Sequence, residues 1–266
     1  QKPQCDIAPE TDLKHGILME IFRSLLIATW FNGCCMVIVA TQLIGSPLYF
    51  INKDYFYAYM AYTKRSFGLV ITALTQWGCP AFIRVSGDKS VRGQLHLQDG
   101  RLKTTFVDRL VLTANHQVYT DWVYLWWFAY TNQMHGYIYI ILKDSLKYLP
   151  VLGQGMLFYG FIFMARKWES DKPRLQYRLE KLKTRRVESQ SDTSPLRPMW
   201  LMIFPEGTNL TLNTQQRSEK YGRKAGIKPL KHVLIPRSTG LFFCLQQLQG
   251  TVDWVYDCTV AYEGHP

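Results

Sequence analysis

No charged residue occurs between Arg23 and Lys53. The core of that run, LLIATWFNGCCMVIVATQLI, is long enough at about 1.5 Å of helical rise per residue to cross a hydrocarbon layer about 30 Å thick. We read it as a membrane helix, and it predicts an N-terminal membrane-embedded helical segment. With one basic residue at each end, the positive-inside rule assigns no orientation. A second uncharged run, 66–83, is shorter and reads as a segment that dips into the interface. The link DYFYAYMAYTKR, 54–65, suits the headgroup layer, where Tyr buries its ring and keeps its hydroxyl wet. Residues 1–86 are therefore expected to be membrane-anchoring helices. The run is too long, and starts too far into the chain, for a cleaved signal peptide.

From residue 87 strand-like and helix-like stretches alternate. LVLTA precedes a helical 122–131; YIYIIL, a helical SLKYLPVLGQGM and GFIFMA follow; MWLMIF comes later. This alternation predicts an α/β fold, a mixed sheet flanked by helices, over 87–266. A helix after Asp171 is marked by Pro173 in its first turn and by a stripe of Leu175, Leu179 and Leu182. A polar, Ser- and Pro-rich insert near 187–198 reads as a surface loop.

Apolar residues make up 47% of the chain, enough for a filled core, so disorder is excluded. The net charge of +11 is concentrated in 166–186 and 217–237, which points to anionic partners. Six cysteines form no C-x-x-C pair and have no His at metal-ligand spacing, so no metal site is expected.

The chemistry begins at NHQVYTD, 115–121. Positions five apart differ by about 140° around a regular helix, so His116 and Asp121 cannot share one helical face. His116 must precede the helix. If the helix starts near Tyr119, the Asp121 carboxylate reaches back to Nδ1 of His116 and leaves Nε2 free as a base. A hydroxyl substrate needs such a base when it attacks an acyl carbon. The plainer reading is a packed His and an Asp that favours a helix N-terminus. A second stretch, MIFPEGTNLT, runs a strand into Pro205, which stops it, and Gly207, which permits an unusual backbone angle; Glu206 is left at the sheet edge. There the plainer reading is a turn with an exposed Glu.

NHQVYTD, FMARKW, FPEGTN and LIPRSTG occur in the order of the four sequence blocks of the glycerolipid acyltransferase family, which the chain resembles over roughly 110–264. KDSLKYLPVLGQGM and ARKWESDK are similar to its lysocardiolipin and lysophosphatidylinositol acyltransferase branch, although Gln154 stands where many relatives carry Trp. The resemblance implies that His116 is the general base and Asp121 its orienting partner. It implies that Arg166 meets the acceptor's phosphate, and that Glu206 and Gly207 lie beside the acceptor, Glu206 bonding a glycerol hydroxyl or holding a basic side chain. Pro236 and Arg237 belong to the acyl donor's side. Acyl-CoA is then a co-substrate and no cofactor is needed; the partners are acyl-CoA, a lysophospholipid and the membrane. Endoplasmic reticulum is the organelle the resemblance implies, with mitochondria-associated membrane the alternative.

Nucleic-acid binding rests on charge alone and is set aside. A serine hydrolase would carry G-x-S-x-G, which is absent. The rival from another class is a catalytically silent lipid-binding or scaffold protein on the same fold; an intact His116 and Asp121 argue against it.

Overall fold

A computed structural model describes residues 16–78, 80–183, 196–228 and 230–263. Most of the polar insert therefore lies outside the described residues. The uncharged run forms α1 (Ile17–Gly45) and, after Ser46-Pro47, the short α2 (Leu48–Ile51). In α1 Cys35, Ile38, Gln42 and Gly45 are buried, while Leu18, Phe22, Leu25 and Met36 are bare. A helix apolar on all sides belongs in a core or in lipid. Among the described residues Ile17–Ile51 is the one helical run long and apolar enough to cross a membrane.

Asn52 caps the next helix, α3 (Lys53–Ala73), by accepting from the amides of Asp54 and Tyr55. The run 66–83 does not make a helix of its own. Its first residues finish α3, a π-helical turn (Leu74–Gly78) follows, and the chain is irregular from residue 80. Nor does all of 54–65 face outward: Tyr55 and Tyr62 are exposed, but Phe56, Met60, Thr63 and Lys64 are buried. The cause is docking of α3 on the α/β layer. The Phe67 ring meets Trp126 edge-on at 5.2 Å, and a Cβ on Gly68 would come within 2.7 Å of the Trp126 indole nitrogen, so this approach needs glycine. Lys64 Nζ donates to the carbonyls of Ile138 (2.9 Å) and Tyr159 (3.2 Å) and sits 3.7 Å from the Tyr139 ring centroid.

A hairpin of β1 (Leu95–Gln98) and β2 (Arg101–Thr104) leads into the main sheet. This contains β3 (Arg109–Ala114), β4 (Ile138–Lys143), β5 (Ile162–Met164), β6 (Met199–Ile203) and β7 (Val255–Cys258) in the spatial order β5-β4-β6-β3-β7. Every neighbouring pair is parallel. The fold is thus α/β, a sheet flanked by helices with an apolar N-terminal helix.

Side chains alternate across a strand, and the core divides accordingly. Leu110, Leu112, Ile138, Ile140, Trp200 and Met202 join one cluster with residues of α1, α3, α4 (Asp121–Thr131) and α5 (Leu152–Phe158). Val111, Met199, Leu201 and Ile203 join another with α6 (Trp168–Leu182) and α8 (Ser238–Leu248). Strands covered on both faces read as unbroken apolar runs, which is why LVLTA and MWLMI were legible. The remaining helix, α7 (Leu212–Ala225), is capped by Thr211 and ends at left-handed Gly226.

Two helix boundaries differ from expectation. SLKYLPVLGQGM is split by Pro150 into a 3-10 turn (Asp144–Tyr148) and α5, because the residue before proline is driven to an extended conformation. The α6 helix starts at Trp168, so Pro173 lies in its second turn. An additional turn forms because buried Asp171 accepts from the amides of Ala165 and Lys167, both at 2.9 Å.

Candidate active site

In open parallel sheets, groups that meet ligands gather where strands end at their carboxyl edge. Here the loop after β3 carries His116, the loop after β6 carries Glu206 and Gly207, and the loop after β5 carries Arg166. The α4 helix starts at Asp121 itself, between the conditional start near Tyr119 and the stretch 122–131 read as helical, after a turn closed by the Asp121 amide on the Val118 carbonyl at 3.3 Å.

His116 Nδ1 lies 2.8 Å from Asp121 Oδ2. The same oxygen accepts from the Val118 amide at 3.0 Å, and Oδ1 accepts from the Tyr262 hydroxyl at 2.5 Å. Asp121 is 0% exposed, so these donors stand in for the water it has lost. With Nδ1–H directed at a carboxylate, Nε2 is the nitrogen left to accept a proton. The imidazole lies nearly flat on the Phe204 ring, 4.4 Å between centroids and 25° between planes.

Glu206 is not an exposed turn residue. It is 5% exposed; Oε1 accepts from the His116 amide at 3.2 Å, and Oε2 is buried with no protein partner among the described residues. Burial pushes its pKa above the usual carboxylate range, an effect opposed by the His116 and Leu234 amides. The backbone ties the remaining loops together. The Leu210 amide donates to the His116 carbonyl and the Arg237 amide to the Pro205 carbonyl, each at 2.8 Å. The Ile235 amide donates to Ser218 Oγ on α7 at 2.9 Å, with Pro236 between these two anchored residues. Gly207 takes a φ of 73°, and a Cβ there would lie 3.7 Å from Arg237 Cδ.

The structure thus brings His116, Asp121, Glu206, Gly207, Pro236 and Arg237 to one place. Arg166 shares the edge but stands apart, because β4 and β6 intervene between β5 and β3, a separation of roughly 14 Å at about 4.8 Å per strand. Arg166 is exposed and left-handed, with φ 66°, and Asp171 holds the amides on either side of it.

Sequence reasoning missed Tyr262 and the role of Asp171. It also left Asn115 without a function, although its side chain donates to the Val260 carbonyl (2.9 Å) and accepts from the Val260 amide (2.7 Å). No local signal marks Tyr262, which lies 141 positions from its partner. Among the described residues no cluster of His, Cys, Asp and Glu is arranged to hold a metal ion.

With this geometry in place, comparison with known proteins gives the family. The model of the acyltransferase family matches residues 84–263. An uncharacterized acyltransferase of Schizosaccharomyces pombe is 40% identical, over 84% of this chain and 61% of its own length. The 2-acyl-1-lysophosphatidylinositol acyltransferase of Saccharomyces cerevisiae is 35% identical, over 95% of this chain and 70% of its own. Lysocardiolipin acyltransferase 1 of Gallus gallus is 37% identical, over 58% and 39%. The chain therefore spans part of the length of each of these relatives. No solved structure matches it. Family model and relatives agree with the four ordered blocks: the chain belongs to the acyltransferase family.

Proposed function

We propose that the chain is a membrane-bound acyltransferase that moves a fatty acyl group from acyl-CoA to a free hydroxyl of a lysophospholipid, with His116 as general base. The observation that carries this reading is the 2.8 Å contact of His116 Nδ1 with buried Asp121, which leaves Nε2 to take the hydroxyl proton. The alkoxide oxygen attacks the thioester carbonyl, the carbon–sulfur bond breaks, and the coenzyme A thiolate leaves with the proton from the imidazolium. No acyl-enzyme is needed.

In this reading Glu206 Oε2, buried without a protein partner, bonds the acceptor, and Gly207 leaves room for it beneath Arg237. Arg166 meets the acceptor's phosphate, and Pro236 and Arg237 line the acyl donor's side. A guanidinium stays charged and binds phosphate through paired hydrogen bonds. Residues 1–86 anchor the chain and 87–266 form the acyltransferase domain. The exposed apolar surface of α1 supports residence in a membrane, which we assign to the endoplasmic reticulum with mitochondria-associated membrane as the alternative.

The test is a panel of lysophosphatidic acid, lysophosphatidylinositol and lysocardiolipin with acyl-CoAs of several lengths, read by mass spectrometry. We expect acylated product from at least one pair. No product across the panel would favour the silent lipid-binding reading.

A further inference from the structure

A carboxylate that orients a histidine must itself be fixed, and a single bonded oxygen leaves it free to turn about Cβ–Cγ. Both oxygens of Asp121 are engaged, and by distant parts of the chain. Oδ2 takes the His116 ring and the Val118 amide, which lie within six residues of chain, whereas Oδ1 takes the hydroxyl of Tyr262 from the segment after β7.

That segment is attached to the same turn. Asn115, next to His116, holds both the amide and the carbonyl of Val260, which fixes the backbone two residues before Tyr262. The Tyr124 ring of α4 meets the Tyr262 ring at 5.8 Å. Burial and the adjacent carboxylate raise the Tyr262 pKa, so the phenol keeps its proton and serves as the donor.

We propose that Tyr262, carried on a backbone segment pinned by Asn115, is a positioning residue for the His116–Asp121 pair. It locks the plane of the carboxylate, hence the direction of Nδ1–H, hence the direction in which Nε2 faces the acceptor hydroxyl. The histidine and the clamp on its partner hang from two adjacent residues, so they shift together. The inference rests on the proposed acyl transfer, and its test separates the two.

The variants Tyr262→Phe and Asn115→Asp are compared with the unmodified full chain, by coenzyme A release with the acceptor found in the panel and by 15N-histidine NMR. The NMR signal is the His116 Nδ1–H resonance, assigned by its loss in His116→Ala. Tyr262→Phe is expected to lower kcat about tenfold, equivalent to about 1.4 kcal/mol, with both KM values within about twofold, and to broaden that resonance by faster exchange. Asn115→Asp keeps the acceptor for the Val260 amide, loses the donor to its carbonyl, and should show a smaller loss of the same kind. Tyr124→Phe, whose ring contact survives, should match the unmodified protein. A Tyr262→Phe kcat within twofold, or a rise in KM alone, overturns the proposal. If the unmodified protein transfers no acyl group, the functional reading fails instead; the resonance still decides the clamp, and an unchanged signal in Tyr262→Phe rejects it.

Discussion

Two regions bury polar groups in opposite ways. At the carboxyl edge of the sheet they meet protein partners: Asp121 has three donors, the His116 amide has Glu206 as acceptor, and the His116 carbonyl has the Leu210 amide as donor. Under α3 and α1 some polar atoms go unmet. Both ring nitrogens of His135 and Oε1 of Gln42 are buried without partners among the described residues, and Lys64 relies on two carbonyls and an aromatic face. An edge of satisfied groups fixes directions, as chemistry requires; a seam held by close packing fixes distance and tolerates polar atoms at a cost. Glu206 Oε2 is the exception at the edge, and an unmet oxygen in so well-met a place is what a ligand would complete.

This contrast predicts that substitutions at the edge alter rates and substitutions at the seam alter stability. The largest effect is expected from His116→Ala, which should lower acyl transfer about a thousandfold while the melting temperature stays within a few degrees. Undiminished transfer in the panel assay would remove the base assignment.

Glu206→Gln comes next. Gln keeps an acceptor for the His116 amide but carries no charge, so turnover should fall about tenfold. Stability should move the other way: the folded chain holds the Glu206 proton more tightly than the unfolded chain, so the unmodified protein loses stability as pH rises through the raised pKa. Thermal melts taken upward from pH 4.5, the ordinary value of the group, should show less of that loss in the variant. Equal pH slopes would mean that the buried carboxyl does not titrate this way.

The smallest effect on activity is expected from the seam. Burial, helped by the Arg65 charge, pushes the His135 imidazole down to about 4. The unfolded chain takes up this proton at about 6.5 and the folded chain refuses it until about 4, so stability is full above pH 6.5 and drains away as pH falls through that window. His135→Leu should leave turnover within about twofold and flatten the fall in melting temperature between pH 7.5 and pH 5. An unchanged slope would assign the acid sensitivity to another group.

The same division decides what could be read from the chain alone. His116 and Asp121 were legible because the turn that joins them is local, and β3 and β6 because a strand buried on both faces leaves an apolar run. Lys64 was not: within DYFYAYMAYTKR nothing distinguishes the flank of α3 that meets β4 from the flank that meets its surroundings. Asp171 looked like a helix start because the donors it accepts from, the Ala165 and Lys167 amides, are backbone groups that carry no signature. Tyr262 lay beyond reach because only the closing of β7 beside β3 brings it to Asp121.

The grip of Asp171 on the backbone around Arg166 has a consequence for how a cation is aimed. A left-handed φ at a residue with a side chain costs about 1 kcal/mol or more, and here it is offset by two bonds to a buried carboxylate. The root of the guanidinium is therefore set by the main chain before any anion arrives. For the phosphate contact proposed for Arg166, what remains to organise is the swing of a tethered arm, and the entropy lost on capture would be correspondingly smaller.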